Sequence, residues 1–306
     1  MKNVIVTGAT SFIGFPLVKE LLKKNYTVYA VVRPNSKSNI KLNDLNCSFL
    51  RIIECSMDDY KNLDSFIKDP IDATIHVAWN GTRVPERDSH EIQFKNYQNS
   101  IDLYHSVKKL GSKRFISIGS QAECGKCIGL ITEEYSCNPI TEYGKAKNLL
   151  CNELQALAKK DQITLGWLRL FSAYGPYDYE KTMVISSTRA MLKNEDVNLT
   201  LGEQNWNYIY IDDVINLLIE LLEKNYESGI FNACSNENLK LKEFVMKMRE
   251  LANSNSKLNF GAVPYGKEGM VSFIPSSKKV EEVLNYSNFV PFEVGYKNVL
   301  ESLKEE

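Results

Sequence analysis

The 306-residue sequence predicts an α/β protein with a parallel, doubly wound sheet that is covered by helices on both faces. Short apolar runs alternate with longer amphipathic stretches through the first 170 residues, and a glycine-rich turn joins the first strand to the first helix. The predicted strands are 4–6, 27–32, 73–77, 114–118 and 163–170. The predicted helices between them include 12–24, 91–110 and 142–158. This order is typical of a sheet that is buried on both sides.

Composition and charge exclude several classes of protein. Lys and Arg total 37, Asp and Glu total 38, and the net charge is -1, with no long run of either sign. We therefore expect no nucleic-acid partner. The apolar stretches are broken well before the length of about 20 residues that a membrane-spanning helix needs, so we expect no membrane partner either.

The N-terminus and the cysteines predict a cytoplasmic protein. The chain enters its first strand at once, without the charged and apolar regions of an export leader. Seven cysteines, an odd number, are scattered from Cys47 to Cys234, which favours reduced thiols over a disulfide framework. Cys124 and Cys127 form one close pair, but no second pair stands at ligand spacing. Because structural zinc needs four ligands, we predict no metal site.

The turn at 8–14 lies between the first strand and the first helix, which is where a glycine-rich turn binds phosphate. Gly8 permits the tight turn, and Gly14 permits close packing of the helix on the sheet. Ser11 stands where a middle glycine is expected, and its hydroxyl is able to bond a phosphate. The predicted contacts to a cofactor diphosphate at the helix start come from Thr10, Ser11, Phe12 and Ile13. These features predict a Rossmann-type dinucleotide site; the alternative is a tight turn that binds nothing.

The end of the second strand bears on the choice of dinucleotide. An acidic residue there accepts hydrogen bonds from the adenosine ribose, whereas an arginine suits a 2′-phosphate. This chain has Arg33, with Ser36 and Lys37 nearby, so we predict NADP as the cofactor and keep NAD as the alternative. In that alternative Arg33 stacks on the adenine or lies in solvent.

After residue 170 the alternation stops, which predicts a second, smaller lobe. Tyr174-Gly175-Pro176 breaks the chain, and turn-rich segments alternate with helices predicted at 188–193 and 212–223. We predict a dinucleotide-binding domain at 1–171, to which 205–232 returns. The C-terminal, substrate-binding lobe then comprises 172–204 and 233–306.

Three polar side chains form a candidate catalytic site. Tyr143 and Lys147 lie four residues apart at the start of a predicted helix, so both project from one face. An ammonium next to a phenol favours the phenolate and lowers the tyrosine pKa, which suits the tyrosine to proton transfer near neutral pH. Ser120 follows the strand at 114–118, where the carboxyl edge of the sheet meets the ligand crevice.

With these motifs the chain resembles the extended short-chain dehydrogenase/reductase family, in its NAD-dependent epimerase/dehydratase group, which acts on nucleotide sugars. The resemblance covers nearly the whole chain. The motifs that carry it are the turn at 8–14, His76-Val77-Ala78, Asn96, Ser120 before Gly125, Tyr143 with Lys147, Arg169 before Tyr174-Gly175-Pro176, and Tyr210-Ile211-Asp212-Asp213.

The resemblance implies that Ser120, Tyr143 and Lys147 are a catalytic triad. Lys147 binds the nicotinamide ribose and tunes Tyr143, which exchanges a proton with an oxygen of the sugar, while Ser120 hydrogen-bonds the same oxygen. The resemblance also implies a homodimer that forms through the helices at 91–110 and 142–158. Other expected contacts are Ala78 with the cofactor, and Trp79, Thr82, Arg83, Ser172 and Trp206 with the substrate. The alternative for 79–83 is a solvated loop with one buried aromatic residue.

Several positions depart from the family pattern. Gln121 and Ala122 follow Ser120, where family dehydratases carry an Asp-Glu pair that moves protons during water loss, so dehydration is disfavoured. Trp206 stands where many members have an arginine that grips the diphosphate, although it is able to stack on a base. The remaining replacements are Ser172 for an asparagine, Cys124 for a tyrosine and Ser56 for an aspartate near the adenine.

These observations favour an NADP-dependent reductase of a nucleotide-linked 4-keto-6-deoxy sugar in the assembly of a surface polysaccharide. A nucleotide-sugar 4-epimerase with tightly bound NAD is the second hypothesis, because the triad serves both reactions. A third hypothesis is a dinucleotide-sensing protein that performs no chemistry. The three intact triad residues argue against it, because a pure binding protein does not need them together.

Overall fold

The computed structural model describes residues 2–127, 129–266 and 269–305 of the chain. The strands in this part of the chain are β1 Asn3–Thr7, β2 Thr27–Val32, β3 Leu50–Glu54, β4 Ala73–His76, β5 Arg114–Ser120, β6 Leu130–Ile131, β7 Thr164–Leu170, β8 Ser172–Tyr174, β9 Val197–Leu199, β10 Asn205–Tyr210, β11 Gly229–Ala233, β12 Asn238–Lys240, β13 Leu258–Phe260 and β14 Ile274–Pro275. The helices are α1 Gly14–Lys23, α2 Ile40–Asn43, α3 Leu63–Phe66, α4 His90–Lys109, α5 Glu142–Asp161, α6 Met183–Leu192, α7 Ile211–Glu223, α8 Leu241–Leu251, α9 Lys278–Leu284 and α10 Phe292–Lys304.

Among the described residues, seven strands form a parallel sheet in the order β11-β7-β5-β4-β1-β2-β3. The chain winds outward from β1 in one direction through β2 and β3, and then returns to the other side of β1 with β4. This reversal is the switch point of a doubly wound sheet, and ligands bind outside the carboxyl ends of the strands there. The predicted α/β fold with a Rossmann-type sheet is confirmed.

The element ends differ from their predicted positions by a few residues. Helix α1 begins at Gly14 instead of at 12, because the phosphate-type turn occupies the residues before it. Helix α5 continues to Asp161, and the next residue, Gln162, adopts a left-handed conformation with φ 56°. Helix α6 starts earlier than predicted, at Met183.

One compact unit comprises residues 1–125, 137–169 and 215–231. Its central strands β1, β2, β4, β5 and β7 are buried along most of their length, and helices α4 and α5 pack beside each other on the sheet. The hydrophobic core beneath them is centred on buried side chains of large volume, including Tyr104, Phe115, Leu150, Leu154 and Trp167. Burial of this apolar surface is the main stabilising contribution to the unit.

A second compact unit comprises residues 126–136, 170–214 and 232–306. Its described residues form three small sheets, with strand orders β12-β10-β8, β13-β9 and β14-β6. The core of this unit is aromatic. The rings of Tyr174, Tyr208, Phe244, Phe292 and Tyr296 are buried and pack against one another. The segment 126–136 lies within the range predicted for the first domain and clusters with the second unit.

Within the described ranges, no helix is both long enough and apolar enough to cross a bilayer.

Candidate active site

The turn between β1 and α1 is packed so tightly that two of its positions accept only glycine. Gly8 has a φ of +65°, and a Cβ placed there would lie 2.9 Å from the backbone nitrogen of Ala78. A Cβ on Gly14 would lie 2.1 Å from the carbonyl oxygen of Gly8. The amide of Ser11 donates to Gly8 O at 2.9 Å and closes the turn. The sequence-based roles of the two glycines agree with this geometry.

Ser11 takes part in the start of helix α1. Its Oγ accepts a hydrogen bond from the amide of Gly14 at 3.0 Å, and its side chain is exposed. Because a hydroxyl that accepts one bond keeps its own proton, Ser11 is still able to donate to a phosphate oxygen. The serine therefore fits the turn at the position where a glycine is more common.

The turn fits the diphosphate of a dinucleotide. Within the described residues, the backbone amides of Phe12 and Ile13 have no hydrogen-bond acceptor, as is usual for the first amides of a helix. Such amides and the helix dipole favour an anion. Thr10 lies beside them and is partly exposed. These residues would hold the diphosphate, and a nicotinamide dinucleotide would supply or accept a hydride when bound.

A buried hydrogen-bond chain joins β1, β4 and α4 below this turn. His76 is 1% exposed, its Nδ1 lies 2.7 Å from Thr7 Oγ1, and its Nε2 lies 2.9 Å from Ser100 Oγ. Ser100 donates its own proton to the carbonyl of Asn96 at 2.7 Å. His76 must therefore donate from Nε2 and accept at Nδ1, which defines one neutral tautomer. Burial, and secondarily the charge of Lys147, lowers the pKa of His76 to about 3.

The same hydrogen-bond chain anchors the start of the loop after β4. Thr7 Oγ1 accepts the amides of Val77 at 3.1 Å and Ala78 at 3.2 Å, which completes its bonding capacity. Asn96 Oδ1 accepts the amide of Asn80, and Asn96 Nδ2 donates to the carbonyl of Asn80 at 2.8 Å. The backbone of Ala78 is thereby held against the phosphate-type turn.

Gln93 on α4 holds the rest of that loop. Its Nε2 donates to the carbonyls of Gly81 and Glu86, and its Oε1 accepts from Trp79 Nε1 at 2.8 Å. Neither Gln93 nor Ser100 belongs to a motif identified in the sequence. A signal was present, because residues 93, 96 and 100 follow helical spacing and place polar side chains on one face of α4.

The structure brings Ser120, Tyr143 and Lys147 together at the carboxyl end of β5. The Ser120 side chain is close enough to the Tyr143 phenol to act on its pKa, which it lowers against the larger effect of burial. Tyr143 lies in the first turn of α5, where Thr141 Oγ1 caps the helix by accepting the amide of Gly144 at 3.0 Å. Burial is the main effect on the pKa of Tyr143 and raises it, so the phenol is neutral at neutral pH.

Lys147 is buried with its amine between backbone and aromatic partners. Its Nζ donates to the carbonyl of Ile118 at 2.7 Å and lies 3.7 Å from the centre of the Trp79 ring. The same nitrogen lies 6.0 Å from the centre of the Tyr143 ring. Burial lowers the pKa of Lys147 to about 7, against an opposing effect of the Glu123 charge. Trp79, predicted as a substrate contact, faces Lys147 and lies edge-on to Tyr143 in this structure.

Arg87 is a site residue that the sequence analysis missed. Its guanidinium carbon lies 5.1 Å from the centre of the Tyr143 ring, at cation–π distance. The arginine belongs to a short 3-10 turn at Glu86–Asp88, whose contact with α5 depends on chain folding between distant segments. Spacing in the sequence carries no signal for such a contact.

Glu123 forms a buried ion pair behind Ser120. The segment after β5 is a 3-10 turn, Gln121–Glu123, and the carboxylate of Glu123 caps it by accepting the amide of Ser120. The same carboxylate accepts from Trp167 Nε1 and from Arg169 Nε, the latter at 3.1 Å. Glu123 is 0% exposed, so all of its bonding is internal. The inward direction of the Glu123 side chain depends on this turn, because an extended segment would point it elsewhere.

Two cysteines meet next to this ion pair. Cys137 Sγ lies 3.8 Å from Cys124 Sγ and 3.4 Å from an Arg169 nitrogen. The sulfur of Cys124 thus contacts that of a cysteine 13 residues further along the chain. Among the described residues, no group of three or more His, Cys, Asp or Glu side chains converges as metal ligands.

Arg33 is exposed at the end of β2, as a residue that meets a ribose substituent must be. Its Nη2 donates to Asn80 Oδ1 at 3.2 Å, and its carbonyl accepts from Asn39 Nδ2 at 3.0 Å. Ser36 precedes the short 3-10 turn Lys37–Asn39 on the same side of the sheet.

The predicted substrate contacts fall in both compact units. Thr82 and Arg83 are exposed residues of the loop after β4 in the first unit. Ser172 and Trp206 belong to the second unit, where Ser172 pairs with Tyr208 between β8 and β10 and the Trp206 ring packs on Phe273.

Known proteins with similar sequences include a family of NAD-dependent enzymes and two curated relatives named for sugar nucleotides. The sequence model of the "NAD dependent epimerase/dehydratase family" matches residues 4–234. The dTDP-6-deoxy-L-talose 4-dehydrogenase (NAD(+)) of Aggregatibacter actinomycetemcomitans is 27% identical over 267 residues, which cover 86% of this chain and 95% of that protein. The CDP-abequose synthase of Salmonella muenchen is 26% identical over 308 residues, covering 99% of this chain and 98% of that protein.

A solved structure supports the fold. DesIV, a dTDP-glucose 4,6-dehydratase from Streptomyces venezuelae with NAD bound, superposes with a TM-score of 0.88. The two chains are 19% identical, and the match covers 99% of this chain and 97% of that one. At this identity the likeness shows a shared fold and says nothing of a shared reaction.

The packing around Gly14 predicts a large effect of one added methyl group. We expect Gly14→Ala to lower the free energy of unfolding by about 2 kcal/mol or more, because its Cβ meets backbone atoms that cannot move aside. The measurement is chemical denaturation followed by circular dichroism. Gly266→Ala is the control, because no heavy atom lies within 4 Å of the Cβ it would add. Equal stability of the two variants would contradict the close packing of the turn.

The buried neutral His76 predicts a pH-dependent stability. The unfolded chain takes up a proton near the ordinary histidine pKa of about 6.5, whereas the folded chain resists protonation down to a pKa of about 3. His76 therefore contributes stability above about pH 6.5 that is lost as the pH falls. Between about pH 6.5 and about pH 4 we expect this loss to be about 3 kcal/mol.

Denaturant titrations of the wild type and His76→Gln at a series of pH values measure this loss. The difference in unfolding free energy between the two should shrink as the pH falls. His105→Gln, which changes an exposed histidine of α4, should follow the wild type at every pH. If the unfolding free energies of the wild type and His76→Gln change by the same amount as the pH falls, His76 is not held neutral in the folded protein.

Proposed function

Because the chain belongs to the NAD-dependent epimerase/dehydratase family and is an enzyme, we propose that it reduces the 4-keto group of a nucleotide-linked sugar. The proposed substrate is a 4-keto-6-deoxy sugar on a nucleoside diphosphate, used in the assembly of a surface polysaccharide. The observation that carries this proposal is the meeting of Tyr143 and Ser120 at the end of β5, where the carboxylate that acts on the phenol, Glu123, is fully engaged elsewhere.

The engagement of Glu123 disfavours water elimination. A dehydratase needs a carboxylate that removes and returns protons at the sugar. Glu123 accepts from the Ser120 amide, Trp167 and Arg169 and has no exposed surface. The two residues before it, Gln121 and Ala122, carry no ionisable group. The triad is then suited to proton transfer at one carbonyl or hydroxyl oxygen of the sugar.

Tyr143 is the proton donor of the proposed reduction. Its buried phenol is neutral at neutral pH, because burial raises its pKa. As the carbonyl becomes an alkoxide, Tyr143 donates its proton to the oxygen, and the hydroxyl of Ser120 hydrogen-bonds the same oxygen. The charge of Lys147 near the ring stabilises the phenolate that remains.

The name of one relative favours oxidation or reduction at one carbon of the sugar. This relative is named as a 4-dehydrogenase of a dTDP-linked 6-deoxy sugar, and it matches 86% of this chain. The proposed substrate contacts on this chain are Trp79, Thr82, Arg83, Ser172 and Trp206. A 4-epimerase uses the same triad, so product analysis has to separate the two reactions.

We expect Tyr143→Phe to lower kcat/KM for the nucleotide-linked 4-keto sugar by about 10²–10⁴-fold, because the proton donor is lost. The assay follows the consumption of reduced dinucleotide, and NMR identifies the product. Affinity for the dinucleotide should remain within a few-fold of the wild type, since the phosphate-binding turn is unchanged.

Tyr97→Phe is the matched control, since it removes a hydroxyl that contacts Glu153 on the neighbouring helix. It should retain the wild-type rate. An unchanged rate in Tyr143→Phe, or conversion of one sugar epimer into another without consumption of dinucleotide, would refute the reductase proposal.

We propose NADP as the preferred cofactor. The support is the exposed guanidinium of Arg33 at the end of β2, where an acidic residue is needed to bind a free ribose. A structure of similar fold has NAD bound, and a relative is named for NAD(+). The proposed preference for NADP therefore rests on this chain's own residues and not on its relatives.

Removal of the Arg33 charge tests that preference. We expect Arg33→Met to weaken NADPH binding by about tenfold or more while NADH binding changes little, because only NADPH carries the 2′-phosphate. Fluorescence titration of both dinucleotides measures the two affinities. Lys68→Met removes an exposed charge elsewhere in the same unit and should change neither. Tighter binding of NADH than of NADPH by the wild type would overturn the assignment.

Two further features are proposed with the reductase function. We infer a homodimer through α4 and α5, because Phe94 is 41% and Leu149 44% exposed on these adjacent helices. We also infer a cytoplasmic enzyme, because none of the seven cysteines, all within the described residues, forms a disulfide.

A further inference from the structure

We propose that Arg87 is a positioning residue that holds a permanent positive charge against the ring of Tyr143 and thereby stabilises its phenolate. The inference deepens the proposed function, because it assigns a role at the same site to a residue outside the triad. It rests on the contact of the two side chains and on the charges that surround the phenol.

The contact is set by well-anchored backbone. The guanidinium carbon of Arg87 lies 5.1 Å from the centre of the Tyr143 ring, and Arg87 is only partly exposed. The amide of Arg87 donates to the carbonyl of Arg83 at 2.7 Å. The carbonyl of the preceding Glu86 accepts from Gln93 Nε2 at 3.0 Å, which ties the turn to α4. The arginine is therefore presented to the ring from a fixed turn.

Four groups from different elements act on the phenol. Arg87 and a hydrogen bond from Ser120 lower the pKa of Tyr143, and the Glu123 carboxylate raises it. Glu123 is paired with Arg169, which weakens its effect. Lys147, on the same helix as Tyr143, contributes its charge only while its amine is protonated.

Arg87 keeps its positive charge above neutral pH, whereas Lys147 does not. Lys147 is buried and its pKa is lowered to about 7, so part of its charge is lost at neutral pH and most of it at alkaline pH. Its amine also faces the ring of Trp79 more closely than that of Tyr143. An arginine remains protonated throughout this range. Above neutral pH the persistent cation at the catalytic phenol is therefore Arg87.

The direct test is a titration of Tyr143 in the protein without substrate. The protein is labelled with 3-fluorotyrosine, whose more acidic phenol titrates while the protein is folded, and ¹⁹F NMR follows each ring. The Tyr143 signal is the one that Tyr143→Phe removes. We expect Arg87→Met to raise the pKa of this ring by about one unit, and Arg87→Lys to restore most of the shift.

The matched control is Lys145→Met, which removes a charge two residues from Tyr143 on the same helix. Lys145 is solvent-facing and paired with Glu142, so we expect a shift of Tyr143 well below that of Arg87→Met. If Arg87→Met does not fold, Arg87→Gln replaces it with the same expected shift. An unshifted Tyr143 in the neutral variant, or no restoration in Arg87→Lys, would overturn the proposal.

Kinetics in the direction of alcohol oxidation give a second readout. There Tyr143 acts as the base, so the rate rises with pH as the phenol ionises. We expect Arg87→Met to move the midpoint of kcat upward by about one pH unit with little change in KM. A purely structural role would lower the rate at all pH values without moving the midpoint. Because the NMR titration needs no substrate, it decides on Arg87 even if the proposed sugar is not reduced.

Discussion

The candidate site depends on one buried carboxylate, that of Glu123, which has no exposed surface. Glu123 accepts the backbone amide of Ser120 and so sets where β5 stops and its terminal hydroxyl points. It also neutralises Arg169 in the interior and accepts the indole proton of Trp167 in the core. A buried ion pair of this kind has a large desolvation cost, and within the described residues Arg169 Nη1 is buried without a hydrogen-bond partner, so the pair is weak evidence for stability. Its contribution is placement, since it links the core of the sheet to Ser120.

The electrostatics of the site follow from burial. The same low exposure raises the pKa of Tyr143 and lowers the pKa of Lys147, so both groups are pushed toward their neutral forms. A neutral phenol is suited to donating a proton, and it becomes a good donor only if the anion it leaves is stabilised. The hydroxyl of Ser120 and the cation of Arg87 both act in that direction. The site therefore combines an apolar setting with a few well-placed polar groups.

Much of this arrangement was predictable from the sequence. The parallel sheet followed from the alternation of apolar runs with amphipathic stretches, and the phosphate-type turn followed from the positions of Gly8 and Gly14 between a strand and a helix. Tyr143 and Lys147 were predictable as neighbours because helical spacing puts them on one face. Residues held together by long-range folding were not. Arg87 reaches Tyr143 from a loop 56 positions away along the chain, and Glu123 turns inward because its segment is a 3-10 turn instead of a strand.

The hydrogen-bond chain below the phosphate-type turn constrains how this protein is able to change over evolutionary time. Each proton in the series from Thr7 through His76 and Ser100 to Asn96 has one acceptor, and each acceptor has its donor. A single substitution leaves a buried polar atom orphaned, which is costly, whereas matched replacements at two positions restore the pairing. These four positions are therefore expected to change together during evolution, because a substitution at one of them is tolerated only with a matching substitution at another.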